Sequence, residues 1–328
     1  MSAGKLPLAQ RLTRVARRRI RPFTPAGRAE RTSGPAPAGM PVLFVGGTGR
    51  SGTTVTGRLL AAHPGWVMLP SETKFITGYN GLCDLIRGKA SWAEFLQVVR
   101  GREFKNAWGR GLHLMADAGR IEALLPALRQ GLRSNPWAAA ATFVHALLDP
   151  VAAAAGATGW VDTTPTNVAK GPELLLMFPN MKLVHLVRDG RDVATSVTRR
   201  RWGPNDPDRA LDWWAVRLGR SFRAGDQLPD SHFLTLQFED LYVRERERDF
   251  RRLLEFTGLT EDPAIRAFFE GETPADRAHA GRWRSGLPSE RLAAFEEHHE
   301  RLAADLVSRG RPYRPVILDP FPELAAVR

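Results

Sequence analysis

The sequence predicts an α/β protein, a P-loop-like parallel sheet flanked by helices and interrupted by a long helical insertion. Three observations predict it. Short apolar runs bounded by turn residues recur along the chain, at 41–45, 66–69, 182–187 and 233–236. Segments with helical spacing separate them, the alternation that gives right-handed βαβ units. The first run opens into a glycine-rich loop that leads straight into a helix.

Taken in order, Pro41-Val-Leu-Phe-Val45 is apolar throughout, as a strand buried on both faces requires. Gly46 to Gly52 form the loop, and Thr53 to Ala62 carry helical spacing with Val55, Leu59 and Leu60 on one side. His63-Pro64-Gly65 stops that helix, giving His63 a structural role, and Trp66-Val-Met-Leu69 reads as the second strand. An insertion over about 76–157 has apolar periodicity around Phe95–Val99, Ile121–Leu128 and Phe143–Leu148. Trp160-Val161 is a short strand and Lys182–Val187 a buried one, followed by a helix from about Asp192 to Arg200. Phe233–Leu236 is the last strand, with helices expected over 243–257, 261–270 and 289–309.

Composition narrows the class. With 328 residues, 43% hydrophobic and 25% charged, the chain is ordinarily globular, which excludes a wholly disordered, collagenous or fibrous protein. No run of about 18 apolar residues occurs, so no membrane span is expected. The single cysteine, Cys83, excludes an internal disulfide framework and any cysteine-based zinc or iron–sulfur site, and makes a reducing cytoplasm the default expectation. The net charge of +12 is concentrated in residues 1–40, which hold nine basic residues against one acid, Glu30. No apolar stretch follows them, so they are not read as a secretory signal. Pro35-Ala-Pro-Ala-Gly39 separates this basic tail from a body over 41–315, and 316–328 reads as a C-terminal tail. The basic tail suits peripheral contact with an anionic membrane surface; no nucleic-acid partner is expected.

Gly46-Gly-Thr-Gly-Arg-Ser-Gly-Thr-Thr54 carries the first chemical signal. Glycines let a backbone turn around an anion, and the free N–H groups at a helix start donate to it. Gly47 and Gly52 have nucleotide-triphosphatase spacing, but Thr53 stands where that motif has its lysine, and the cation is Arg50 inside the loop. This argues against ATP or GTP hydrolysis and suits one anionic group beyond a single 5′-phosphate.

Gly49-Arg-Ser-Gly-Thr-Thr54 resembles the 5′-phosphosulfate loop of sulfotransferases that use 3′-phosphoadenosine 5′-phosphosulfate (PAPS). The stretch Phe44 to Phe75, with Ala62-His-Pro64 and Ser71-Glu-Thr-Lys74, is similar to the bacterial carbohydrate-type and tyrosylprotein branches. Arg188 and Ser196, eight residues apart, can grip one phosphate through a cation and a hydroxyl, and resemble the family's 3′-phosphate motif. Gly281-Arg-Trp283 looks like its late loop, which implies cofactor contact at Arg282. Leu236–Leu241 and Leu253–Leu259 resemble structural segments of the family, so the likeness spans roughly 41–312.

The resemblance implies a PAPS-dependent sulfotransferase with no required metal. Gly49, Arg50, Ser51, Gly52, Thr53 and Thr54 would hold the 5′-phosphosulfate, with Arg50 also catalytic, and Arg188 and Ser196 the 3′-phosphate. Glu72, just past the second strand, can accept an alcohol proton and matches the family's catalytic glutamate; Lys74, Thr163 and Thr164 would touch the acceptor. Other candidate bases are His113, His145 and His279, whereas His298-His299 reads as an exposed helix face. The insertion would bind the acceptor, a carbohydrate, glycolipid or hydroxylated natural product in preference to a protein. Thr163 and Gly281 stand where the tyrosylprotein branch has a lysine and a serine. That departure leaves a non-catalytic nucleotide binder as an alternative, beside a P-loop kinase that Thr53 disfavours and a binder acting through the basic tail.

Overall fold

The computed structural model describes residues 39–315. The strands Val42–Gly47 (β1), Trp66–Met68 (β2), Gly159–Asp162 (β3), Lys182–Val187 (β4) and Phe233–Gln237 (β5) make one parallel sheet in the order β2–β3–β1–β4–β5. The basic segment up to residue 38 and the tail 316–328 lie outside the described residues. All six residues of β1 and all four of β3 are buried, which is why those runs are apolar without alternation.

The helices are Thr53–Ala61 (α1), Lys74–Thr77 (α2), Leu82–Ile86 (α3), Trp92–Gln97 (α4), Ala118–Gly131 (α5) and Pro136–Ala154 (α6). After β3 come Gly171–Met177 (α7), Gly190–Val197 (α8), Pro207–Gly225 (α9), Arg246–Thr257 (α10), Pro263–Gly271 (α11) and Ser289–Ser308 (α12). Successive side chains of β1 point to opposite faces and so seed two cores. Val42 and Phe44 pack with Phe95, Phe143, Leu147 and Trp160 from the insertion and β3. Leu43 and Val45 pack with Leu59 and Leu60 of α1, Phe250 of α10 and Phe269 of α11. Fully burying one such side chain is worth about 1.5–3 kcal/mol. Phe250 and Phe269 stack with ring centroids 4.2 Å apart, pinning α10 to α11.

Several boundaries and two whole helices, α7 and α9, differ from the sequence reading. Helix α9 was not foreseen, although Asp206 caps it by accepting from the Arg209 N–H at 3.0 Å and Pro207 occupies its first turn. Leu211, Trp214, Leu218 and Phe222 form its buried stripe. Helix α8 starts two residues earlier than expected because Asp189 caps it, accepting from the Arg191 N–H at 2.8 Å. The expectation of an exposed face at His298-His299 is corrected. His299 is fully buried and bonded to the Tyr313 hydroxyl at 2.8 Å, and His298 bridges Asp208 and Asp212 at 3.0 Å each, because α12 packs against α9. The sequence reading found no unbroken run of about 18 apolar residues, and α6, interrupted by Thr142, His145 and Asp149, is not one. By length and composition α6 would span, but its Phe143, Val144, Leu147 and Leu148 are buried in the core.

Candidate functional site

A crevice outside the carboxyl ends of the strands is where a sheet of this topology binds ligands. Here β1 lies between β3 and β4, and the loops leaving the strands enclose a cavity of about 730 Å³. Gly49, Arg50, Gly52, Thr53, Thr54, Glu72, Lys74, Thr164 and Arg188 line it.

The loop after β1 turns through left-handed backbone at Gly49 (φ 88°), Arg50 (φ 61°) and Gly52 (φ 93°). Arg50 holds this conformation without being glycine, a strain that persists where surrounding structure enforces it. A Cβ at Gly52 would meet ring carbons of Phe238 at 2.4 Å. Gly52→Ala is therefore expected to destabilise the fold by about 2–3 kcal/mol, read as a lower thermal midpoint, and to abolish anion binding at the loop; an unchanged midpoint contradicts this geometry. No side chain caps α1, so its first N–H groups are free for an anion. Ser51 lies beneath the loop, buried against Gly47, with its Oγ unpartnered.

Arg188 is the first residue past β4. Its Nη1 donates to the Arg50 carbonyl at 3.1 Å and its Nη2 to the His279 carbonyl at 2.9 Å. The guanidinium lies 4.5 Å from the centre of the Phe238 ring, and its buried Nε has no partner. Ser196, in α8, does not line the cavity but accepts from Arg50 Nε at 3.0 Å, so Arg50 joins the two motifs read from the sequence. Arg282 is exposed and also off the cavity wall. Its loop is held by Asp192, which accepts from the Gly281 N–H at 2.7 Å and the Trp283 N–H at 3.0 Å. Burial pushes the Asp192 carboxyl up to about 6.

Glu72 Oε2 and Lys74 Nζ are 2.9 Å apart, both partly exposed. What fixes their position is the residue between them. Thr73 donates through its hydroxyl to Asp162 Oδ2 at 2.5 Å, and its N–H donates to Thr164 Oγ1 at 2.7 Å. Asp162, fully buried at the end of β3, also accepts from Thr164 Oγ1 at 2.7 Å and Asn167 Nδ2 at 2.9 Å. Burial raises its pKa despite these donors. Asp162 is thus a positioning residue that sequence reasoning missed. Thr163 turns away from the cavity, its methyl crowding Gly57 of α1. None of the three alternative histidines lines the cavity. His113 bonds the Phe104 carbonyl, His145 bonds Asp149, and His279 uses its carbonyl for Arg188.

Glu239, fully buried past β5, accepts from the Asp189 N–H at 2.9 Å and Gln237 Nε2 at 2.8 Å. Burial, then Asp189, pushes its carboxyl up to about 7. The unfolded chain ionises this group near the ordinary value, so between that value and about 7 the folded state holds more protons. Stability contributed by this group therefore falls as pH rises through the window. Glu239→Gln is expected to flatten the decline in thermal midpoint from about pH 4.5 to 7; an unaltered profile contradicts the assignment.

Five arginines line the cavity; Arg102 has Glu103 at 3.7 Å, whereas among the described residues Arg50, Arg188, Arg200 and Arg217 have no acid within salt-bridge distance. Burial first, then Arg200 and Arg188, lowers the pKa of Arg50, the signature of crowded cations. Arg200 and Arg217 escaped the sequence reading, though Arg199-Arg-Arg-Trp202 was a visible basic run. Among the described residues no group of three His, Cys, Asp or Glu is placed to hold a metal ion.

Comparison with known proteins adds a family. A model described as "Sulfotransferase family" matches residues 41–263. Among solved structures, the chain is similar to the sulfotransferase domain of the olefin synthase of Synechococcus PCC 7002 at 23% identity, covering 81% of this chain and 94% of that one, TM-score 0.48. A sulfotransferase of Mycobacterium tuberculosis gives 17%, 81%, 77% and 0.45, and a mouse sulfotransferase complexed with PAP gives 12%, 82%, 87% and 0.43, in the same order.

Proposed function

The chain belongs to the sulfotransferase family, and from that premise we propose that it moves a sulfuryl group from PAPS to a hydroxyl acceptor, with Glu72 as general base. The observation that carries this reading is a wall of Arg50 and Arg188, neither with an acid within salt-bridge distance among the described residues, facing an uncapped helix start. Such a wall is costly to keep unless anions complete it, and PAPS brings two anionic ends. The residues fit it by their chemistry: Arg188 has a buried, unpartnered Nε, and Ser51 a buried, unpartnered hydroxyl.

In the transfer, the acceptor oxygen bonds to sulfur, the bond from sulfur to the 5′-phosphate oxygen breaks, and the acceptor proton goes to the Glu72 carboxylate. PAPS supplies the activated sulfuryl group; the protein supplies position and charge. Arg50 and the N–H groups of Gly52, Thr53 and Thr54 would hold the 5′-phosphosulfate and stabilise charge leaving with the phosphate. Arg188 and Ser196 would hold the 3′-phosphate, with Arg282 closing over it. Lys74, 2.9 Å from Glu72, pairs with the carboxylate that would take the proton. Thr164, whose hydroxyl accepts from the Thr73 N–H beside Glu72, would touch the acceptor. We read the acceptor as a carbohydrate, glycolipid or hydroxylated natural product. The test is incubation with PAPS and a panel of such hydroxyl compounds, following 3′,5′-adenosine bisphosphate release and sulfated product by mass spectrometry. Sulfated product supports the reading. Bisphosphate binding without product from any panel member overturns it in favour of a non-catalytic binder.

A further inference from the structure

Arg200 and Arg217 are cations that this cofactor reading leaves without a role. Arg200 sits on the turn after α8 and Arg217 on α9, and both face the cavity. Neither has an acid within salt-bridge distance among the described residues. The two acids on the same wall already have cations of their own: Glu72 takes Lys74 at 2.9 Å, and Glu103 takes Arg102 at 3.7 Å. The positive charge of Arg200 and Arg217 is therefore surplus.

Aromatic surface accompanies it. Trp202 lines the cavity with 52% of its surface exposed, tilted against Trp213 at a centroid distance of 6.0 Å. The Arg217 guanidinium lies 4.3 Å from the centre of the Trp213 ring, which orients it while leaving its N–H groups to a ligand. Both indoles reach within 3.7 Å of where a Cβ of Gly49 would lie, so this patch adjoins the loop assigned to the 5′-phosphosulfate. An exposed indole beside two uncompensated guanidinium groups suits a ring that carries an anion.

We propose that Arg200, Arg217 and Trp202 form an acceptor subsite for an anionic group on a ring-bearing hydroxyl compound. The inference rests on the cofactor reading above, because that reading assigns Arg50 and Arg188 to PAPS. It narrows the acceptor class to molecules bearing a carboxylate, sulfate or phosphate ester, and excludes a preference for neutral ones.

The test uses the full chain saturated with 3′,5′-adenosine bisphosphate and titrates it with phenyl phosphate, with phenol as the uncharged control, by calorimetry at low salt. The expected result is saturable phenyl phosphate binding at least about 10-fold tighter than phenol, one lost charge contact being worth that much or more. The Arg200→Gln/Arg217→Gln double variant should lose that preference and keep bisphosphate affinity within about twofold, while Arg200→Lys/Arg217→Lys should restore part of it. Thermal melts of both variants confirm folding. Equal binding of phenol, binding unchanged in the double variant, or no phenyl phosphate binding to the wild type overturns the subsite. Loss of bisphosphate affinity in the folded double variant also overturns it, by giving both arginines to the cofactor. If the wild type fails to bind bisphosphate, the cofactor reading fails by itself. Phenyl phosphate binding that depends on Arg200 and Arg217 would then still support an anion site there.

Discussion

Glu72→Gln is expected to lower turnover with PAPS by about 100- to 10,000-fold while leaving 3′,5′-adenosine bisphosphate affinity within about twofold of wild type. The amide keeps the size and one acceptor oxygen of the side chain but cannot take the acceptor proton. Lys74 loses a partner, yet at 43% exposure it is repaired by water at little cost. The backbone here is held through Thr73 and Asp162, so the substitution leaves the loop in place. The check is steady-state release of bisphosphate beside calorimetric affinity. Glu103 is the informative control, since it shares the cavity and burial raises its pKa. A large loss from Glu103→Gln with little from Glu72→Gln would reverse the two roles.

Arg188→Ala is expected to weaken 3′,5′-adenosine bisphosphate by about 100-fold or more and to leave ADP much less affected. Removing one partner of a buried, hydrogen-bonded charge pair costs about 2–5 kcal/mol. The buried Nε and the ring of Phe238 beneath the guanidinium fix its plane, which is what bidentate recognition of a phosphate needs. Because Arg188 also holds the Arg50 and His279 carbonyls, part of the effect passes through the loop. Arg188→Lys separates the contributions: it keeps the charge and loses the fork, so an intermediate affinity is expected. Equal weakening of bisphosphate and ADP would show that Arg188 supports the loop and does not read the 3′-phosphate.

Most of the sheet was legible because its strands are short, mainly apolar runs, with β1, β3 and β4 buried as central strands of a parallel sheet are and the edge strands β2 and β5 half-buried. The same applies to the loop after β1, whose glycines and hydroxyls lie at fixed offsets from a strand end. What stayed hidden was tertiary. Helix α9 carries Trp213, Trp214 and four arginines, and its charged solvent face obscured the stripe of Leu211, Trp214, Leu218 and Phe222. His299 looked like one of several polar residues on α12; only packing against α9 shows it inside, bonded to Tyr313. Asp162 drew no reading beyond the short strand Trp160-Val161, and its role as the anchor of Thr73 depends on β3 lying beside β2. Arg200 and Arg217, far apart in sequence from Glu72, meet it in one cavity only because α8 and α9 fold back over the sheet.

The central claim is that two motifs, one after β1 and one after β4, specify a single nucleotide bearing a 3′-phosphate. Calorimetric titration of the wild type with 3′,5′-adenosine bisphosphate, against ADP with and without Mg²⁺, tests it most directly. Tight, metal-independent binding of the bisphosphate with weak ADP binding is the predicted result. Preference for ADP–Mg²⁺, or no binding of either nucleotide, would contradict it.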